Sequence, residues 1–186
     1  MQVPIGVSNR HIHLTESDLE LLCGTHILTN YHNLNQPGQY ASTLKLSIET
    51  PKKRMDNIRV IGPTRDYTQV ELSKTDAYAL GINPPVRVSG DLTEAATITI
   101  IGPSGSITRS CAIIPTRHIH IDPLTREKLG LTKVKTVEVK ISSLKGGLLS
   151  NVIIKEQPQA YFEMHLDTDD ANSHLVICND KAEIII

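Results

Sequence analysis

Arg10-His11-Ile12-His13-Leu14 and Arg117-His118-Ile119-His120-Ile121 are two copies of one phrase, 107 positions apart (11 to 118). Each runs straight into a helix start. Thr15-Glu16-Ser17-Asp18 reads as a capping box, opening a helix that stops at Gly24. Asp122-Pro123 supplies a cap and a first-turn proline for a helix that ends at Gly130. Such a recurrence predicts two related lobes, over 10–116 and 117–186. The stretch 1–9 is expected to complete the second lobe, although a strand at Val3–Val7 could by itself pair with either.

Outward from the repeat, the chain reads as short strands broken by Gly, Pro and Asn. Asn57–Pro63, Tyr67–Ser73, Val86–Ser89, Ala96–Gly102, Ile107–Ile114, Val134–Ile141 and Asn151–Lys155 are β-branched and bounded by turn formers. Gly102-Pro103-Ser104-Gly105 turns the chain back into Ile107, which predicts a hairpin. A third helical turn is expected over Thr75–Leu80. The fold is therefore mainly β with a few short helices, and strands at this spacing favour barrels or sandwiches.

Composition narrows the function. With 186 residues the chain can bury a substantial core. Its 19 basic and 20 acidic residues leave no broad cationic face for nucleic acid. No Trp, one Phe and five Tyr offer few stacking platforms. No apolar run approaches the roughly 20 residues that cross a bilayer, and Met1–Val7 lacks the features of a secretion signal. Cys23, Cys111 and Cys178 are an odd, scattered set with apolar neighbours, read as buried hydrophobes in a reducing, cytoplasmic setting.

Four of the eight histidines lie in the two His-x-His pairs. Residues two apart on a strand share a face, so each pair aims two imidazoles at one point. That is half of a metal coordination sphere, of a kind suited to zinc. His165 alternates with Met164 and Leu166, and Glu71 with Val70 and Leu72, so each faces away from an apolar side. Taken alone, each is more often an ordinary strand residue than a ligand. Arg65 follows Gly62-Pro63-Thr64 at a strand end, where a guanidinium could grip phosphate or simply be solvated. Lys52, Lys53, Arg54 and Arg59 form a basic cluster, either a solvated hairpin or a dock for an anionic cofactor. His26, His32 and His174 lack paired spacing. Three readings can be weighed for the paired histidines. A cupin-type oxygenase would leave the second His pair unexplained. A two-zinc hydrolase wants an aspartate where Thr15 stands. A non-enzymatic module stapled by zinc would usually use cysteines.

Several stretches together resemble the phosphate propanoyltransferases of bacterial microcompartments, the PduL-type phosphotransacylases. They are Val3–His13, Gln36–Tyr40, Arg59–Arg65, Thr68–Ala77, Pro85–Asp91, Arg117–His120 and His165–Asn172, in order over nearly the whole chain. The resemblance implies two β-barrel lobes with the active site between them. It implies two zinc ions, one on His11, His13 and Glu71 and one on His118, His120 and His165. Arg65 matches a phosphate-binding arginine, and Val7, Ser8, Asn9, Lys52, Arg59 and Asn172 match positions lining the coenzyme A site. The implied reaction interconverts a short acyl-CoA and phosphate with an acyl phosphate and CoA, by direct attack of phosphate on the thioester. Pro115-Thr116 and Asp170 depart from the pattern without touching a proposed ligand. Packaged members carry an amphipathic targeting extension; this chain begins at about its first strand, so a cytoplasmic form is expected. Small-molecule substrates are the expected partners, with acyl length, direction and homo-oligomerisation left open.

Overall fold

The computed structural model describes residues 1–185, which fall into two compact units, 10–115 and 1–9 together with 116–185. The chain opens with β1 (Gln2–Ser8). There follow β2 (His11–His13), α1 (Glu16–Cys23), β3 (Asn30–Asn33), β4 (Tyr40–Glu49), β5 (Arg54–Gly62), β6 (Gln69–Glu71), α2 (Lys74–Leu80), β7 (Val86–Arg87), β8 (Ala96–Ile101) and β9 (Ser106–Pro115). The rest is β10 (His118–Ile121), α3 (Pro123–Lys128), β11 (Thr136–Ile141), β12 (Gly147–Glu156), β13 (Glu163–Asp167), α4 (Thr168–Ser173) and β14 (Lys181–Ile185).

Each unit is a closed six-strand β-barrel. In the first, β4, β5, β2, β6, β9 and β8 form the ring, and β8 closes it by pairing with both β4 and β9. In the second the ring runs β1, β13, β10, β12, β11, β14. The two rings are built to one plan. Strand β2 lies parallel to β5 and antiparallel to β6; β10 lies parallel to β12 and antiparallel to β13. Strand β9 then adds parallel to β6, and β1 adds parallel to β13. The first strand of the chain therefore does for the second barrel what β9 does for the first.

The plan extends to single side chains. Ile12, Val60, Val70 and Ala112 are register neighbours in the first core, and Ile119, Ile154, Met164 and Ile5 are the matching neighbours in the second. All eight are buried. Each large one contributes about 1.5–3 kcal/mol by leaving water. Because strand residues alternate, this burial forces the positions on either side of them to face out of the barrel. Each His-x-His pair brackets such a buried isoleucine, so both pairs lie on the outer face of their ring. A cupin-type site lines a barrel interior, and this geometry removes that reading.

Caps set the helix limits. Thr15 accepts from the amide of Asp18, and α1 ends at Gly24 in the left-handed region. The expected third helical turn is α2, with Ser73 as cap and Gly81 behind it. The helix after Asp122 stops at Lys128, with Leu129 as its C-cap, two positions short of Gly130. The hairpin at Gly102–Gly105 joins β8 to β9, closed by the Gly102 N–H donating to the Gly105 carbonyl. Tyr67–Ser73 contracts to Gln69–Glu71, and Val86–Ser89 to Val86–Arg87, where the chain turns at Gly90 with φ +100. All three cysteines are free, but Cys178 is exposed rather than a buried hydrophobe. Among the described residues no helix is long and apolar enough to cross a membrane.

Candidate active site

Two ligand triangles stand on the outer faces of the barrels. On the first, His11 sits opposite Glu71 in the β2–β6 ladder, and His13 opposite Gln69. His11 Nε2 lies 3.1 Å from His13 Nε2 and 3.5 Å from a Glu71 carboxylate oxygen. On the second, His118 sits opposite His165, and His120 opposite Glu163. His118 Nε2 and His120 Nε2 are again 3.1 Å apart. The donor atoms of His11, His13 and Glu71, and those of His118, His120 and His165, each converge within 4.8 Å.

The donor set fits a divalent metal. His13 Nδ1 meets the Ile61 carbonyl, His118 Nδ1 the Thr116 carbonyl, and His120 Nδ1 the side-chain oxygen of Gln157, so Thr116, expected to touch no candidate ligand, does so through its backbone. These oxygens only accept, so each Nδ1 carries the proton and each Nε2 turns its lone pair to its neighbour's. Two nitrogens bound to one tetrahedral zinc at ~2.05 Å would lie about 3.3 Å apart, close to the spacing seen. Burial pushes the His120 imidazole down to about 2, with His118, His165 and Lys155 adding to the effect. A ring so disposed against taking a proton stays available as a ligand.

A matched ion pair closes each triangle from behind. Arg10, just before His11, pairs at 2.6 Å with Asp76, the third residue of α2. Arg117, just before His118, grips Asp170, the third residue of α4, through two bonds of 2.6 and 2.7 Å. Each acid stands five positions after the third ligand. The pair thus ties the strand that carries the histidines to the helix that follows the third ligand, and the acid raises the pKa of its arginine. The aspartate at 170, a departure in the sequence, is the partner that makes this clamp.

Arg65 belongs to a network on the first barrel. Its guanidinium donates to Tyr67 Oη at 2.8 Å and to Ser89 Oγ at 3.3 Å. Gln69 Nε2 donates both to Ser89 Oγ at 2.9 Å and to Glu71 at 2.7 Å, while Gln69 Oε1 accepts from the Gly90 amide. Ser89 is therefore shared between Arg65 and the residue that supports the carboxylate of the triangle. Tyr67, Gln69 and Ser89 were not singled out from sequence. For Gln69 a signal existed, since it shares a strand face with Glu71 two positions on.

A family model described as phosphate propanoyltransferase matches residues 4–177. Curated proteins of that name are similar along nearly the full length. That of Rhodobacter capsulatus is 42% identical over 173 residues, covering 92% of this chain and 80% of its own. That of Thermotoga maritima is 43% identical over 184 residues, covering 97% and 88%. That of Salmonella typhimurium is 41% identical over 173 residues, covering 92% and 82%. The chain belongs to the phosphate propanoyltransferase family. It is a phosphate acyltransferase.

For an enzyme of this family the remaining candidates concern coenzyme A. Arg59 stands beside His11 in the β2–β5 ladder, with its guanidinium donating to the Ser42 carbonyl and lying over the Tyr31 ring. Lys45 is its register partner on the other side, a basic neighbour that sequence did not single out. Lys52 lies in the turn between β4 and β5, where its ammonium donates to the Tyr78 carbonyl and sits over the Tyr78 ring. Arg54 is tied to Asp56 and Ser47. Val7 and Ser8 end β1, Asn9 follows them, and Asn172 lies in α4; Val7 donates its amide to Cys178 Sγ. His26 bridges Glu16 and Glu20 on the surface.

Proposed function

We propose that this enzyme interconverts acetyl- or propanoyl-CoA and phosphate with the acyl phosphate and CoA, with one zinc on His11, His13 and Glu71 and a second on His118, His120 and His165. The convergence of two separate three-ligand sets on matching outer faces carries this reading. Bound zinc would supply Lewis-acid charge for the thioester oxygen and for the departing thiolate. Arg65, held by Tyr67 and Ser89, presents its remaining donors to phosphate and orients one oxygen toward the carbonyl carbon. The new bond is phosphate oxygen to carbonyl carbon; the carbon–sulfur bond breaks, and its electron pair leaves on sulfur. Coenzyme A contacts are assigned to Val7, Ser8, Asn9, Asn172 and Arg59. Lys52 joins them, because its exposed ammonium keeps N–H donors beyond the one given to the Tyr78 carbonyl.

Direct transfer is supported by the state of the thiols. Burial raises Cys23 and pushes Cys111 up to about 12, so neither is a ready nucleophile. Cys178 is exposed and lies against Val7. The test is phosphate-dependent release of free thiol from acetyl- and propanoyl-CoA, before and after chelation and with zinc added back, in wild type and Cys178→Ser. Activity should vanish with chelator, return with zinc and survive the substitution. Loss of activity in Cys178→Ser would point to a covalent acyl carrier. Absence of thiol release in the zinc-loaded wild type would favour a hydrolase or a zinc-stapled binding module.

A further inference from the structure

We propose that Glu163 is the positioning residue of the second triangle: its carboxylate accepts the Nε2–H of His165 and so turns that ring's Nδ1 toward the metal. The inference rests on the reading of His118, His120 and His165 as a zinc site. Its basis is the match between the two barrels. Glu163 stands opposite His120 as Gln69 stands opposite His13, and His165 stands opposite His118 as Glu71 stands opposite His11. In both barrels, then, the third ligand is preceded two positions earlier, on the same strand face, by a side chain that bonds to it. Gln69 donates to Glu71 at 2.7 Å, and Glu163 accepts from His165 at 2.8 Å.

The chemistry of the two pairs is complementary. A carboxylate ligand is steadied by a donor behind it, and an imidazole ligand by an acceptor. Where the first barrel has carboxylate as ligand and amide as support, the second has imidazole as ligand and carboxylate as support. Each site therefore holds one carboxylate, in direct reach of the ion in the first and one hydrogen bond removed in the second. Glu163 is not among the groups whose donor atoms converge within 4.8 Å, which fits support rather than ligation. It is also buried, where a carboxylate persists as a charge only with a hydrogen-bonded partner.

The neighbouring strand is shaped around this pair. Gly6 lies directly beside His165 in the β1–β13 ladder. A Cβ there would come within 2.9 Å of Glu163 Cδ and 3.0 Å of His165 Cδ2. At the matching place in the first barrel, beside Glu71, stands Ile113. The missing side chain at Gly6 is what lets an imidazole and a carboxylate lie side by side.

Two readouts test the proposal. In zinc-loaded wild type, proton–nitrogen correlation spectra of the histidine rings should show His165 protonated at Nε2, while His118 and His120 are protonated at Nδ1. Chelator competition should then show Glu163→Ala losing affinity for one of two ions by about 10–100-fold, with partial rescue in Glu163→Gln, whose amide oxygen still accepts. A His165 protonated at Nδ1 would overturn the proposal, and so would a Glu163→Ala protein that holds both ions as tightly as wild type. A wild type in which neither ring pair binds zinc takes down the zinc reading itself, a result distinct from either of these.

Discussion

The two barrels share a strand plan, an Arg-His-x-His phrase and an Arg–Asp clamp, yet they present different chemistry. The first is made from one continuous stretch and carries Glu71 as third candidate ligand, with Arg65, Tyr67, Gln69 and Ser89 linked beside it. The second is assembled from both ends of the chain and carries His165, with Glu163 behind it and Gly6 making room. The shared part fixes where two imidazoles converge. In the function proposed above, the unshared part decides what each site does, with anion recognition on the first barrel. A repeat can thus supply two scaffolds while a handful of positions gives them different roles.

Arg65→Ala should break that asymmetry with the largest effect. Removing charge-assisted bonds worth about 1.5–3 kcal/mol should raise the KM for phosphate by roughly 10–10²-fold, with zinc content unchanged. Steady-state kinetics against phosphate and a metal assay on the same sample check both halves. An unchanged KM would leave anion binding unassigned.

The clamps should sharpen the likeness instead. Asp76→Asn and Asp170→Asn each remove the charge that holds an arginine just before a His pair, and each should lower stability by about 1–3 kcal/mol. Urea unfolding with and without zinc is the measurement. Similar losses would mark the clamps as equivalent. A loss in one variant alone would show that the barrels differ in more than their ligands.

The sequence carried the repeat, three of the four helices among the described residues and the two His pairs, because these rest on local spacing. Strand β4 was within reach, since Leu44, Leu46 and Ile48 alternate with Lys45, Ser47 and Glu49. Strand β14 is only five residues long and α4 only six, too short for periodicity to stand out. Glu71 and His165 gained their roles from resemblance, since a single alternating residue is ambiguous until its cross-strand neighbour is known. Gln69 and Glu163 were within reach of the rule that picked out the histidines. Each stands two residues before a candidate ligand and therefore on its face. Ser89 was not, because its link to Arg65 crosses 24 positions through a turn.

The central claim is that matching triangles on the two barrels each hold one zinc. Diffraction from crystals of the zinc-loaded enzyme, collected on either side of the zinc absorption edge, tests it most directly. The account expects two anomalous peaks per chain, one about 2.0–2.2 Å from His11, His13 and Glu71, the other as near His118, His120 and His165. A chain with one peak, with none, or with zinc bound away from these side chains would contradict it.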